Sequence, residues 1–587
     1  MPDDHPGVAR WMRIALLCAV LAPAVVGLVA AARTPWHPHT DRAVIAARTA
    51  DVWGGDLPLT GAYSRYAFNH PGPMANLVLS VPYELSGEQP RSLLAGTLII
   101  AGASAALAVW LALGVAGLSG GLAAATMALV AMRAIGPEVL RDPWNPFVLL
   151  GPVLVCLVAA WATSSGSRWS LTVLVVAGSF VVQAHVGTAV LVAALVVWAT
   201  AAYVVAERRT RAWVVPVVVA TGAGLVCWLL PFVDQLTAEA PNLSAIAAFF
   251  TGGAEAAAGE RLPLGQALGI AGRELLPIGP WLTGDEPEFI GVQPAWSGWS
   301  AVLAVLLAAM VVVRRRLAPE DVRASDPVAR LAVTALVAIG ATVVALAGVR
   351  DLPAGYLFRW TWVVGAFAWI ALVWAIGSTV WARVRRPLPT WVPAVAVGAV
   401  AVLGLVVAVP AWDADPPDRA ASDAVAALIG PAEAALEPGQ PITFATVGDD
   451  IGQLGGGIAY ELERRGHPLA VVDDPANRRI WGNRRAERDP QADGTARLVI
   501  ATGAGAAEME LPEVDLLGTF DNLTADERAE ADALRSRIAE LVAASGQVDG
   551  AFPDLRAAGV SEADIARLQD LAERDYQAAV YLDRSGG

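Results

Sequence analysis

The sequence predicts a polytopic α-helical membrane protein with about eleven transmembrane helices, followed by a C-terminal extracytoplasmic α/β domain. Three observations carry this reading. The 587 residues are 56% hydrophobic and only 16% charged, with a mean hydropathy of +0.51, which excludes a disordered chain and points to lipid. Eleven apolar runs of about 20 residues, the length that crosses hydrocarbon, end by residue 410. The arginine clusters between those runs all fall on one side. A net charge of −14 gives no electrostatic basis for nucleic-acid binding, and the acidic excess lies largely after Trp412.

The runs are 13–32, 91–113, 116–134, 146–162, 169–187, 188–206, 212–233, 296–313, 328–349, 359–381 and 390–410. Several are rich in Gly and Ala, as helices that pack closely in lipid often are. Arg10 and Arg13 precede the first. Arg208, Arg209 and Arg211 follow the sixth, Arg314 to Arg316 the eighth, and Arg383, Arg385 and Arg386 the tenth. The positive-inside rule makes the shared face cytoplasmic. The N-terminus is then expected inside, and the C-terminal domain outside the cytoplasmic membrane. The first run is long for the apolar core of a signal peptide and reads as an uncleaved anchor. Cys18, Cys156 and Cys227 lie in apolar runs with no metal or disulfide spacing.

On this topology the outer face receives 33–90, 135–145, 234–295, 350–358 and everything after 410. The chain divides into a membrane domain, 1–410, and a second domain, 411–587. In the latter, ITFATVGDD, PLAVVDD and ARLVIATG read as strands and GGGIAYELERRG as a helix. Two further stretches, 523–545 and 561–582, read as helical, with Ser561 and Asp564 as a capping pair. The glycines 452–457 lack both the dinucleotide fingerprint and the P-loop lysine, so they read as a tight strand-to-helix turn.

The segment 37–73, HPHTDRAVIAARTADVWGGDLPLTGAYSRYAFNHPGP, holds three of the six histidines. Its polar, turn-rich backbone cannot be satisfied in hydrocarbon, so it must lie in water at the membrane face. Asp41 follows the first run closely. It is either a general base or part of the first turn of a helix, with Thr40 or Asp41 as cap. AFNHPGP fixes Asn69 and His70 on a constrained turn, ahead of MANLVLSVPYEL, a helix too short to span.

In these positions the chain resembles the GT-C superfamily of polyprenyl-phosphate-sugar-dependent glycosyltransferases. That group includes protein O-mannosyltransferases, aminoarabinose transferases and actinobacterial arabinofuranosyltransferases. The shared pattern is an acidic residue soon after span one, a long outer loop, and a His-Pro-Pro-like turn before span two. Asp41, Gly61 to Tyr66 and His70-Pro71-Gly72-Pro73 occupy those places. The sequence departs from it at Arg42, where many members carry a second acid, and in reading HPGP. The resemblance covers roughly residues 1–410. It implies transfer of a sugar from a polyprenyl phosphate to an envelope glycan, lipid or protein acceptor, with Asp41 as the base.

Other outward polar groups fit that expectation. Arg141, Asp142, Trp144 and Asn145 stand at the lip of span four. Gln183 and His185 lie near the outer end of span five, where they serve either substrate or inter-helix hydrogen bonds. Tyr356 and Arg359 begin span ten, where the guanidinium either clamps a phosphate or snorkels to headgroups. Arg133, Arg141, Arg350 and Arg359 all sit outside, against the positive-inside trend, and Arg65 joins them in the outer loop. No motif identifies a certain cofactor. A divalent metal stays open, since His37, His39, Asp41 and His70 carry donors but no recognised ligand spacing. Two other classes compete: a flippase or transporter of a lipid-linked component, which should show internal repeats or broken helices, and a non-catalytic envelope scaffold.

Overall fold

The computed structural model describes residues 6–251, 261–285, 297–317, 326–350, 354–384, 389, 391–448, 453–503, 506, 514–546, 555 and 558–583. Arg385, Arg386, Asp449, Asp450 and Gly452 lie outside the described residues. The chain forms two compact units. One comprises Met1–Arg33, Leu59–Pro82 and Ser92–Ala414, the other Thr34–Pro58, Tyr83–Arg91 and Asp415–Gly587. The division therefore does not run at residue 410 alone: the first part of the polar segment after helix one belongs with the C-terminal residues. Trp36, Ala43, Ile45, Ala46 and Ala47 are buried, and helix Thr40–Asp51 packs on helix Gln453–Arg464 within the second unit.

In the first unit every expected apolar run is mainly helical over its described residues. Among the described residues, seven helices are long and apolar enough to cross a membrane. The bent pair Val214–Cys227 and Leu229–Thr237, at 50°, makes an eighth if it is one span. The difference from eleven has physical sources. The 45-residue helix Arg91–Ile135 breaks at Ala116 and Gly117, which leave helical geometry, so two expected runs form one element. Ser170–Ala184 has only 15 residues, and Trp299–Leu317 ends in Arg314, Arg315 and Arg316. Helix Leu150–Ser164 is buried at every position but Gly151. A helix that is apolar all round is buried all round, and this one is packed by Ser170–Ala184, Ala189–Glu207 and Pro327–Ala347.

A two-stranded hairpin, β1 (Tyr63–Ser64) and β2 (Phe68–Asn69), also belongs to this unit. MANLVLSVPYEL forms helix Met74–Leu85.

The second unit is built on a four-stranded sheet of order β3-β4-β6-β5. These strands are β3 Ile442–Gly448, β4 Ala496–Thr502, β5 Val514–Asp521 and β6 Gln577–Asp583. β3 and β4 are parallel; β6 runs antiparallel to both β4 and β5. ITFATVG and ARLVIAT are strands as expected. PLAVVDD is not: it makes one bridge, Leu469 to Ile442, before Asp474 caps helix Pro475–Trp481. The stretch 561–582 also divides, into helix Glu562–Arg574, capped by Ser561, and β6. The β6 residues Ala578 to Tyr581 are buried between two strands, and pairing overrides helical periodicity there. Gly455 to Gly457 lie inside helix Gln453–Arg464, and a Cβ at Gly457 would sit 2.7 Å from the Pro38 carbonyl, so these glycines allow close helix packing.

Candidate functional site

The first unit gathers its polar side chains where helices stop. The β1–β2 hairpin turns through Ala67, at φ +60°, and delivers Asn69 and His70. Asn69 is held by a reciprocal pair: its N–H donates to Asn242 Oδ1 at 2.8 Å, and Asn242 Nδ2 donates to its carbonyl at 2.9 Å. Its own Nδ2 donates to Thr60 Oγ1 at 2.9 Å and the Gly61 carbonyl at 3.0 Å. Tyr66, Phe68 and Phe249 stack beside it, with centroids 4.8 to 6.3 Å apart.

His70 is 6% exposed. Helix Ser170–Ala184 ends at His185, which is extended at φ −150° and ψ 109°, and this releases the Val186 N–H. That group donates to His70 Nδ1 at 3.2 Å, which assigns the ring proton of neutral His70 to Nε2. The two histidine rings lie 4.8 Å apart. Burial, and then the neighbouring His185, hold the His70 imidazole well below its ordinary value, so it stays neutral.

Gln183 is fully buried. Its Nε2 donates to the Cys227 carbonyl at 2.8 Å. Its Oε1 and the Nδ1 of His185 are buried with no hydrogen-bond partner among the described residues. Gly72 explains the HPGP departure. A Cβ there would stand 2.2 Å from Gln183 Oε1 and 2.7 Å from Pro231 Cγ, so neither proline nor alanine fits.

Asn145 closes this wall, donating from Nδ2 to the Ala184 carbonyl at 3.2 Å. Asp142 accepts from the Trp144 N–H at 2.9 Å, and Arg141, fully buried, donates to the Ala411 carbonyl at 3.2 Å. Trp144 packs on Phe147 and Tyr356, at 5.1 and 4.8 Å between centroids. Arg359 is 5% exposed and lies over Trp362 at 4.1 Å and Phe147 at 5.9 Å. Arg65 is exposed and donates to Tyr66 Oη at 2.8 Å.

One buried acid escaped the sequence reading. Glu274, 1% exposed, accepts from Trp362 Nε1 at 2.7 Å and from Thr361 and Arg273. It ends helix Leu264–Glu274, in a stretch without a motif, and Thr361 and Trp362 lie 87 and 88 residues further on, so only the fold reveals it.

Asp41 belongs to the second unit, exposed in the first turn of helix Thr40–Asp51. Arg42 turns inward, bonding Asp418 Oδ2 at 2.7 Å, and His39 Nε2 meets the same oxygen at 3.3 Å. His37 Nδ1 pairs with Glu461 Oε1 at 3.0 Å. The residue standing in place of a second acid is thus an ion-pair partner. Both histidines of WHPHTD face carboxylates, and no group of three metal donors converges among the described residues.

The helical arrangement aligns with that of ArnT from Cupriavidus metallidurans bound to undecaprenyl phosphate. The TM-score is 0.50, with 14% identity over 88% of this chain and 97% of that one. The chain has a GT-C fold. ArnT from the same organism in the apo state aligns at a TM-score of 0.46, with 16% identity over 84% and 94% of the two chains. No protein-family model matches the sequence, and no curated protein matches it. In this GT-C fold the polar wall of His70, Gln183, His185 and Asn145 is formed by helix ends and one turn, in a multi-pass membrane protein.

Proposed function

We propose that this protein transfers a sugar from a polyprenyl phosphate to an envelope glycan, lipid or protein acceptor at the outer face of the cytoplasmic membrane. The observation that carries the reading is the pair of buried polar atoms without a partner among the described residues, Gln183 Oε1 and His185 Nδ1, beside neutral His70. Buried polar groups are normally satisfied, and a polyhydroxyl ligand would satisfy these. The aligned ArnT binds undecaprenyl phosphate, which supports a lipid phosphate as donor. An apolar cavity of about 420 Å³ in the first unit, lined by Pro23, Leu98, Met132, Val406 and Arg133, offers room for prenyl carbons.

The acceptor oxygen bonds to the anomeric carbon as the sugar–phosphate C–O bond breaks, with inversion. The hydroxyl proton passes to a carboxylate base, the role that the sequence resemblance implies for Asp41. The polyprenyl phosphate leaves with the bonding pair, its charge met by Arg359 with Arg65 or Arg141. His70 donates through Nε2–H, and His185, Asn69, Asn145 and Gln183 orient the sugar. Asp142 fixes the Trp144 loop, and Tyr356 packs on Trp144.

Disrupting the gene, or substituting Asp41→Asn, should remove one envelope glycan component and raise a polyprenyl-phosphate sugar. An unchanged glycan and lipid profile with a stable Asp41→Asn protein would sink the reading.

A further inference from the structure

A second pocket lies wholly within the unit that contains the four-stranded sheet, and none of the residues assigned above lines it. It encloses about 370 Å³, inside the range of small-ligand sites. Its walls come from residues 50–54, 83–88 and 460–488. Tyr83 and Tyr460 line it, each 1% exposed, their hydroxyls 2.9 Å apart.

Four arginines also line it, yet the wall is not a cation trap. Arg464 pairs with Glu461 at 2.8 Å, and Arg484 with Asp51 at 3.1 Å. Arg485 bonds both Asp51 and Glu463 at 2.7 Å, and Arg488 lies 3.4 Å from Glu463. Glu84 and Glu88 add two more carboxylates to the lining. The guanidinium charge is therefore met before any ligand arrives, and a phosphate gains little. What remains is a dense alternation of N–H donors and carboxylate acceptors, with the Nε of Arg484 buried and unpartnered among the described residues. Each sugar hydroxyl donates and accepts, which matches such a wall. Trp53 also lines the pocket and is 64% exposed, so it presents a large apolar ring there.

We propose that this pocket binds a neutral sugar ring, stacked by its C–H face on Trp53 and held through its hydroxyls by Glu84, Arg484 and Arg488. The ligand class follows from the pocket alone. That the ring is part of the acceptor rests on the transfer reading.

The test uses the full-length protein in nanodiscs, titrated with uncharged methyl glycosides of common hexoses and pentoses, and separately with inorganic phosphate. Binding is followed by saturation-transfer NMR. At least one glycoside should saturate, and phosphate should not displace it. Trp53→Ala and Glu84→Gln should each weaken it about tenfold. Both residues are exposed, so the thermal midpoint should hold. No glycoside binding, displacement by phosphate, or equal affinity in wild type and both variants would overturn the proposal. Glycoside binding by a protein that transfers no sugar would remove the transferase reading and keep this one; transfer without glycoside binding would do the reverse.

Discussion

Asp41 and Arg42 are neighbours with opposite environments, one exposed and one buried on Asp418. Removing the Asp41 carboxylate should therefore cost chemistry and not fold. Asp41→Asn is expected to lower transfer by about 10²–10⁴-fold, the range for a general base. Its thermal stability should stay within about 0.5 kcal/mol of wild type. Gly72 is the converse case. Gly72→Ala forces a methyl against Gln183 Oε1 and Pro231, and overpacking of that kind costs about 1–3 kcal/mol. Thermal unfolding of the variant measures it, and an unchanged midpoint would show that Gln183 moves aside freely. His70, Gln183 and His185 were legible because a polar residue beside an apolar run stands out in the sequence. Glu274 was not, because its importance comes from Trp362, far along the chain.

At the scale of elements, helix Thr40–Asp51 is locked into its unit by charge. Asp51 is fully buried, with Arg48, Arg484 and Arg485 around it. Arg485→Met should cost about 3 kcal/mol, because it removes the buried guanidinium that bonds both Asp51 and Glu463 and leaves Asp51 to Arg48 and Arg484 alone; chemical denaturation of the variant tests this. The same unit should be acid-sensitive. The His39 bond, against the effect of burial and with help from the Arg42 charge, holds Asp418 below the usual carboxylate range. Glu461 is raised by burial, but the His37 bond and the Arg464 charge outweigh that and leave it low. The folded unit thus binds fewer protons than the unfolded chain. This contribution is complete above the unfolded carboxylate values of about 4 and is lost as pH falls below them. Circular dichroism from pH 6 to 3 should show stability falling, and less steeply in Asp418→Asn. A flat profile would contradict it. The strands β3 and β4 were legible from continuous apolar runs. PLAVVDD and β6 were not, because strand partners, absent from local sequence, decide them.

For the whole molecule, apolar runs and arginine placement indicated a polytopic helical bundle, and the resemblance carried by Asp41, Gly61 to Tyr66 and the HPGP turn pointed to GT-C, while the division into units needed three dimensions. Thr34–Pro58 joins the C-terminal unit because its apolar face is buried there, and no linker composition marks that choice. The positive-inside argument predicts that the second unit lies outside. A cysteine replacing exposed Ser545 should therefore react with a membrane-impermeant maleimide in intact cells; labelling only after lysis would reverse the topology. The central claim is sugar transfer from a polyprenyl phosphate. Its most direct test is the purified protein in nanodiscs with an undecaprenyl-phosphate-linked sugar and an envelope acceptor extract. The account predicts acceptor-dependent release of undecaprenyl phosphate, abolished in Asp41→Asn. A donor that remains intact, or crosses the bilayer with its sugar still attached, would contradict it.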